Sequence, residues 1–295
     1  MKFGKVDHPE ELNLSLPLDH PETEAVLARA TAKELSVYVG CAKWNRQDLK
    51  GFYPRGTKDE LTYYASQFNA IEMNATFYRL FPKEQFKTWR EKVPEGFKFF
   101  PKITQNISHL KRLLDPEPLI DEYLDHTLIL KEKLGTIFLQ MHNNFMPKNF
   151  DRVENFLNHW PDHVALAVEF RHTDWFNDDV VSHKLYHLLE QNNVANVLVD
   201  TAGRRDIMHM RLTNDEAFIR YVGANHSSDY DRLDEWVDRL LLWRKQGLNH
   251  IHFFIHQNIE KESPLLSAYF IKKLKEQLGV ELRVPQTLTD QAKLL

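Results

Sequence analysis

Apolar positions along the chain gather into eight short runs, at 36–40, 70–74, 97–101, 137–141, 164–170, 195–200, 217–222 and 250–255. Between most of them, apolar residues recur at helical spacing, as in 233–246, which ends at Gly247, and 264–278. Helix signals support the reading: Thr57 stands three residues before Glu60, Pro82 opens a first turn, and Leu134-Gly135 offers a left-handed stop. A strand-then-helix pattern repeated in this way closes most economically as an α/β TIM-like (β/α)8 barrel of parallel strands. The connection from Asp200 to Ala217 is short and poorly helical, so the sixth helix is expected to be reduced. A single domain over 35–279 is expected, with an N-terminal extension at 1–34 carrying a helix over 22–35 and a C-terminal tail at 280–295.

Side chains alternate across a strand, so one parity of each run faces the interior. That parity is polar at the C-terminal ends. It gives Glu72 and Asn74 in the second run, Gln140 and His142 in the fourth, Glu169 and Arg171 in the fifth, Arg220 in the seventh, and His252 and His256 in the eighth. Lys102 and Asp200 close the third and sixth runs. So many ionisable groups in one interior must pair with each other or meet a ligand, because an unpaired charge loses its hydration there. Two readings follow, a structural ion-pair network and a ligand site at the rim where barrel enzymes keep theirs.

In the ligand reading, Arg171 and Arg220 clamp an anion, since guanidinium forks match carboxylate and phosphate oxygens. Glu169 or Glu72 acts as general base, Lys102 stabilises developing negative charge, and His172 is the acid. Trp44, Tyr53, Tyr78 and Trp175 are expected to be exposed on one rim as stacking faces for a base or sugar. Asn74, Gln140, Asp200 and His256 complete the binding set. An alternative uses Glu72, Glu169, Asp200 and His256 as ligands of a divalent metal, hard oxygens with one imidazole suiting magnesium or manganese. No spaced metal motif accompanies them, and the cofactor is left open. His142, His209 and His226 are further loop histidines, and Ser108-His109 is expected to diverge on extended backbone.

Composition narrows the classes. With 42% apolar residues the chain can bury a sizeable core, and no run of 18 apolar positions marks a membrane span. A net charge of -4 argues against nonspecific nucleic-acid binding, though not against a local basic groove. Cys41 is the single cysteine, which excludes an internal disulfide and a cysteine-built zinc site. The first residues lack a secretory pattern, so a cytoplasmic protein is expected. Neither G-x-G-x-x-G nor G-x-x-x-x-G-K occurs.

The run Val39-Gly40-Cys41-Ala42-Lys43-Trp44, the phrase Phe52-Tyr53-Pro54 and the segment Ile71-Glu72-Met73-Asn74-Ala75-Thr76-Phe77-Tyr78-Arg79 resemble the YecE-like family, domain of unknown function 72. The likeness continues through Lys102, Ser108-His109, Phe138-Leu139-Gln140, Val168-Glu169-Phe170-Arg171-His172, Trp175-Phe176, Asp200 and Phe218-Ile219-Arg220. It covers roughly 36–270 and implies a TIM-like barrel without a settled activity. Departures point to a modified pocket: Arg220-Tyr221-Val222-Gly223 lacks the family's histidine, and His142-Asn143-Asn144 replaces its prolines. The expected function is a hydrolase acting on a phosphorylated or otherwise anionic nucleotide-like molecule. Its alternatives are a metal-dependent phosphodiesterase and a noncatalytic nucleotide or nucleic-acid binder.

Overall fold

A computed structural model describes residues 4–286. Among the described residues nine strands form, most of them rich in β-branched and aromatic residues: β1 Ser36–Cys41, β2 Ala70–Met73, β3 Lys98–Pro101, β4 Ile137–Gln140, β5 Leu166–Glu169, β6 Ala195–Asn196, β7 Leu198–Thr201, β8 Glu216–Gly223 and β9 His250–Gln257. All pairings are parallel, in a six-stranded sheet ordered β3-β2-β1-β9-β8-β7 and a three-stranded sheet ordered β4-β5-β6. Single parallel bridges, Phe99 with Leu134 and Lys102 with Phe138, run between β3 and the β4 segment. The fold is thus α/β with parallel strands and helices between them, as the run pattern implies. Among the described residues no helix is long and apolar enough to cross a membrane.

Local chemistry explains several boundaries. Gly40 lets β1 lie against β2, since a Cβ there would stand 2.2 Å from the Ala70 carbonyl oxygen. Gly247 ends helix Ser228–Gln246 at φ +127°, and a Cβ would sit 2.2 Å from the Leu27 carbonyl oxygen. The helix expected from Thr57 begins instead behind Asp59, whose carboxylate accepts from the Thr62 N–H at 2.9 Å. The N-terminal helix covers only Thr23–Ala28. Beyond it the chain is held extended by Asn249, which donates to the Thr31 carbonyl and accepts from the Lys33 N–H. Of the tail, 287–295 lies outside the described residues.

The run at 195–200 divides at Val197, because β6 pairs with β5 while β7 pairs with β8. No α-helix follows it; the turns at Ala202–Ile207 take that place. Alternation then fixes a correction. Val199 packs in the interior, so Asp200 points out toward the helix layer. Its carboxylate accepts from Arg205, from Arg232 at 2.6 Å and from the Trp236 indole N–H at 2.8 Å.

Between the sheet faces the inward side chains stack in layers. The middle layer is apolar: Ala70, Phe100, Phe138, Ala167, Phe218 and Phe254, with Val197 and Val199. Its rings meet at 4.8 Å for Phe100 with Phe254 and 5.3 Å for Phe218 with Phe254. Two residues further along each strand, on the same face, come Glu72, Lys102, Gln140, Glu169, Arg220 and His256. The aromatic layer therefore carries the polar one.

Asp200 belongs to the support of that interior and not to its surface. Asp200→Asn removes the nearer of the two countercharges of Arg232, which is only 2% exposed and keeps Asp229 at 3.1 Å, and it also removes that of Arg205. The expected loss is about 3–5 kcal/mol in denaturant unfolding. A loss below about 1 kcal/mol, the range of exposed ion pairs, would contradict this placement.

Candidate functional site

The polar layer is a continuous hydrogen-bonded floor. Arg220, on β8, grips Glu72 on β2 with both ends of its fork, Nε to Oε2 at 2.8 Å and Nη2 to Oε1 at 2.7 Å. Its remaining nitrogen, Nη1, donates to Glu169 Oε2 on β5 at 2.6 Å. Glu169 also accepts from the Gln140 amide at 2.9 and 3.0 Å and from Arg171 Nε. The Gln140 carbonyl oxygen in turn accepts from Lys102 Nζ at 2.7 Å. On the far side of Arg220, Glu72 accepts from Asn74 at 2.7 Å and meets His256 Nε2 at 3.1 Å. Side chains from six parallel segments thereby share one network, which satisfies the groups that burial would otherwise penalise.

Electrostatics follows from these partners. Burial raises the pKa of both carboxyl groups, and the arginines overcome it: Glu169 is held down at about 2 by Arg171 and Arg220, and Glu72 well below the usual range by Arg220 and His256. Arg220, between two carboxylates, is pushed further up despite burial. Lys102 moves the other way, to about 7, because it is desolvated and Arg220 and Arg171 repel its charge. Its hydrogen-bond partner is the neutral Gln140, and its Nζ lies 4.1 Å from the Phe77 ring centre.

Above the floor opens a cavity of about 850 Å3 lined by Asn74, Tyr78, Arg171, Val199, Arg220 and His256, together with loop residues from 42–50 and 257–261. Five cationic side chains line it, Lys43, Lys50, Arg171, Arg220 and Lys261, against the carboxylates Asp48 and Glu260 in the wall and Glu72 and Glu169, which pair with the two arginines from below. Tyr78 is 63% exposed at its wall. His256 lies between Glu72 and Glu260, its Nδ1 3.9 Å from the Glu260 carboxylate. A second recess, of about 620 Å3, lies at the opposite ends of the strands beside Glu216 and His252. It holds none of the candidate site residues.

The structure brings together Glu72, Asn74, Lys102, Gln140, Glu169, Arg171, Arg220 and His256, with Tyr78 above them. It separates the others. Asp200 is turned to the helix layer, so Glu72, Glu169, Asp200 and His256 do not converge as metal ligands, and Arg220 occupies the two glutamates. Among the described residues no group of three His, Cys, Asp or Glu side chains is placed to hold a metal ion. Trp175 is fully buried, donating its indole N–H to the Phe145 carbonyl, because a turn at Asp174–Asn177 folds it under the loop. Tyr53 is buried as well, with its hydroxyl on the Trp44 carbonyl, and Trp44 packs edge-on against Trp89. His172 is spent on its own loop, its Nδ1 accepting from the Asp174 N–H and facing that carboxylate.

His209 is half-buried, bonded to the Val197 carbonyl and the Arg211 N–H, and desolvation pushes its pKa down to about 3. His226 pairs with Ser228. Ser108 and His109 do meet, Oγ to Nδ1 at 2.9 Å, since 106–110 is a wide helical turn and not extended backbone. Sequence reasoning missed Lys43, Lys50, Glu260 and Lys261, which reach the cavity from loops where no strand parity applies.

A buried ammonium without a countercharge has a measurable signature. One lysine Cε resonance is expected to titrate with a midpoint near 7 in heteronuclear NMR and to vanish in Lys102→Met. Lysine signals that all titrate near 10 would contradict the placement. Because the folded pKa lies below the unfolded one, this group makes stability rise with pH between about 7 and 10.

Comparison with known proteins bears on the whole chain. UPF0759 protein YecE of Escherichia coli K12 is 26% identical over 275 residues, covering 85% of this chain and 98% of the relative. UPF0759 protein YunF of Bacillus subtilis is 27% identical over 206 residues, covering 64% and 71%. Crystal structures of DUF72 family proteins match the fold: one from Enterococcus faecalis with a TM-score of 0.66 at 17% identity, over 84% of this chain and 99% of that one. Another, from Thermotoga maritima, has a TM-score of 0.66 at 24% identity, over 81% and 99%. The model of the family described as protein of unknown function DUF72 matches residues 38–290, and the chain belongs to that family.

Proposed function

We propose that the protein is an enzyme of the hydrolase class acting on a small, anionic, nucleotide-like substrate bound at the C-terminal ends of the strands. The observation that carries this reading is the cationic excess around a cavity of about 850 Å3. That size lies within the range of roughly 300–1,000 Å3 common to small-molecule sites. Arg171 and Arg220 line it and hold the anionic group; a guanidinium stays charged at every physiological pH, so charge stabilisation falls to them and not to Lys102.

Glu72 and Glu169 are poor bases, because each is held ionised by arginine and its lone pairs are already engaged. His256 replaces both them and His172 as the proton carrier. It lines the cavity, Glu72 orients its Nε2, and its Nδ1 stands far enough from Glu260 for a water to bridge. Tyr78 offers a face for a base or sugar. The same saturation of the two glutamates favours a second reading, a noncatalytic binder of the same ligand class.

We further propose that the two sheets close into one (β/α)8 barrel, with an N-terminal extension to residue 34. The bridges from β3 to the β4 segment and the Val197 N–H donating to the Val168 carbonyl support closure. The buried thiol of Cys41, pushed up by desolvation, fits a reducing compartment, and we assign the protein to the cytoplasm.

Incubation with adenosine and uridine mono- and diphosphates, read by chromatography of the products, tests the catalytic reading. Turnover is expected, lowered on the order of 100-fold in His256→Asn. Arg171→Gln is expected chiefly to raise KM. Saturable binding with every nucleotide recovered unchanged would establish the binder instead, and the absence of both would reject the two readings together.

A further inference from the structure

Lys102 is the cation of the floor that the hydrolytic reading leaves without a task. Its backbone is fixed on both sides, the N–H donating to the Met73 carbonyl at 3.3 Å and the carbonyl accepting from Thr76 Oγ1 at 2.7 Å. Its side chain is 3% exposed and runs between the ends of β2 and β4. Nζ meets a neutral amide and an aromatic face, while Glu72 and Glu169 are taken by arginines. A lysine amine in desolvated surroundings and next to other cations is the arrangement that keeps the nucleophilic, unprotonated form populated at neutral pH. The pKa of about 7 agrees with that geometry.

We infer that Lys102 is a covalent nucleophile that condenses with a small carbonyl compound bearing a carboxylate or phosphate, the anionic group resting on Arg171 and Arg220. The inference rests on the anion-binding part of the proposed function and not on hydrolysis. The Nζ lone pair attacks the carbonyl carbon, and the carbonyl π electrons go to oxygen, which takes up a proton. Nitrogen loses a proton, the hydroxyl takes up a second proton from solvent and leaves as water as the nitrogen lone pair forms the C=N bond, and the protonated imine remains with one solvent proton consumed overall. Condensation releases one water and consumes no oxidant or reductant. Lys102 does not itself line the cavity: Phe77, half-buried on the four-residue helix Ala75–Tyr78, covers the amine and has to swing aside to admit the carbonyl.

Trapping with sodium borohydride reads the imine directly. The full-length protein is treated at pH 7 with pyruvate or with dihydroxyacetone phosphate, reduced, and examined by intact mass and peptide mapping. One adduct per chain is expected, on Lys102. Its rate should exceed that of any surface lysine on the order of 100-fold, since an exposed ammonium is neither desolvated nor crowded by arginines. The adduct is expected to be absent in Lys102→Arg, to form faster in Phe77→Ala, and to decline in Arg171→Gln. The more reactive probe identifies which anionic group the arginines prefer.

Lactate and inorganic phosphate, which have no carbonyl to trap, report anion binding by calorimetry. Their binding without any adduct overturns the covalent role and leaves the anion site standing. No binding and no adduct overturn both. Labelling scattered over surface lysines, equal in Lys102→Arg, also overturns the covalent role.

Discussion

Arg220 joins two carboxylates on separate sheets, and the polar interior is organised around it. A guanidinium carries its donors on three nitrogens in one plane, and here two nitrogens meet Glu72 while the third meets Glu169. Neither glutamate is tolerable alone at zero exposure, and neither is the arginine. Their combination lets the strands end on charged groups beneath the cavity. The neighbouring groups then follow: Gln140 and Arg171 complete Glu169, while Asn74 and His256 complete Glu72. Lys102 is left with an amide in place of a countercharge. Burial first, and then the charge of Arg220 and Arg171, depress the lysine, while the same two arginines depress Glu169 against its own burial.

The aromatic layer makes that arrangement rigid. Phe100, Phe138, Phe218 and Phe254 fill the space directly below Lys102, Gln140, Arg220 and His256, two residues earlier in the chain in each case. Close-packed rings leave the polar side chains little room to tilt. A site built on strand ends and supported in this way holds its geometry, while the loops around 42–50 and 257–261 set what enters the cavity above.

Strand parity made the floor legible in the sequence. Once Ile71 and Met73 are assigned to the helix side, Glu72 and Asn74 must point in, and the same step places Gln140, Glu169 and Arg220. Parity failed where its premise did. The run at 195–200 suggests one strand closing on an acid of the site, whereas alternation from Val199 turns Asp200 outward to Arg205, Arg232 and Trp236. The aromatics failed for another reason. Exposure of Trp175, Tyr53 and Trp44 depends on how short turns fold over the ends of the strands, and a sequence carries no period for that. His172 sits in the densest chemical stretch of the chain, yet its loop bonds it to Asp174. Helix starts were misplaced by two residues where several capping residues stood together, as Thr57 and Asp59 do.

The most direct test is the unfolding free energy of Arg220→Met compared with that of the triple variant Arg220→Met, Glu72→Gln, Glu169→Gln, each measured in denaturant at neutral pH. If Arg220 is the countercharge on which the floor depends, the single variant loses about 3–5 kcal/mol and the triple variant recovers a large part of it. A single variant as stable as the parent protein, or a triple variant that recovers nothing, would contradict the account.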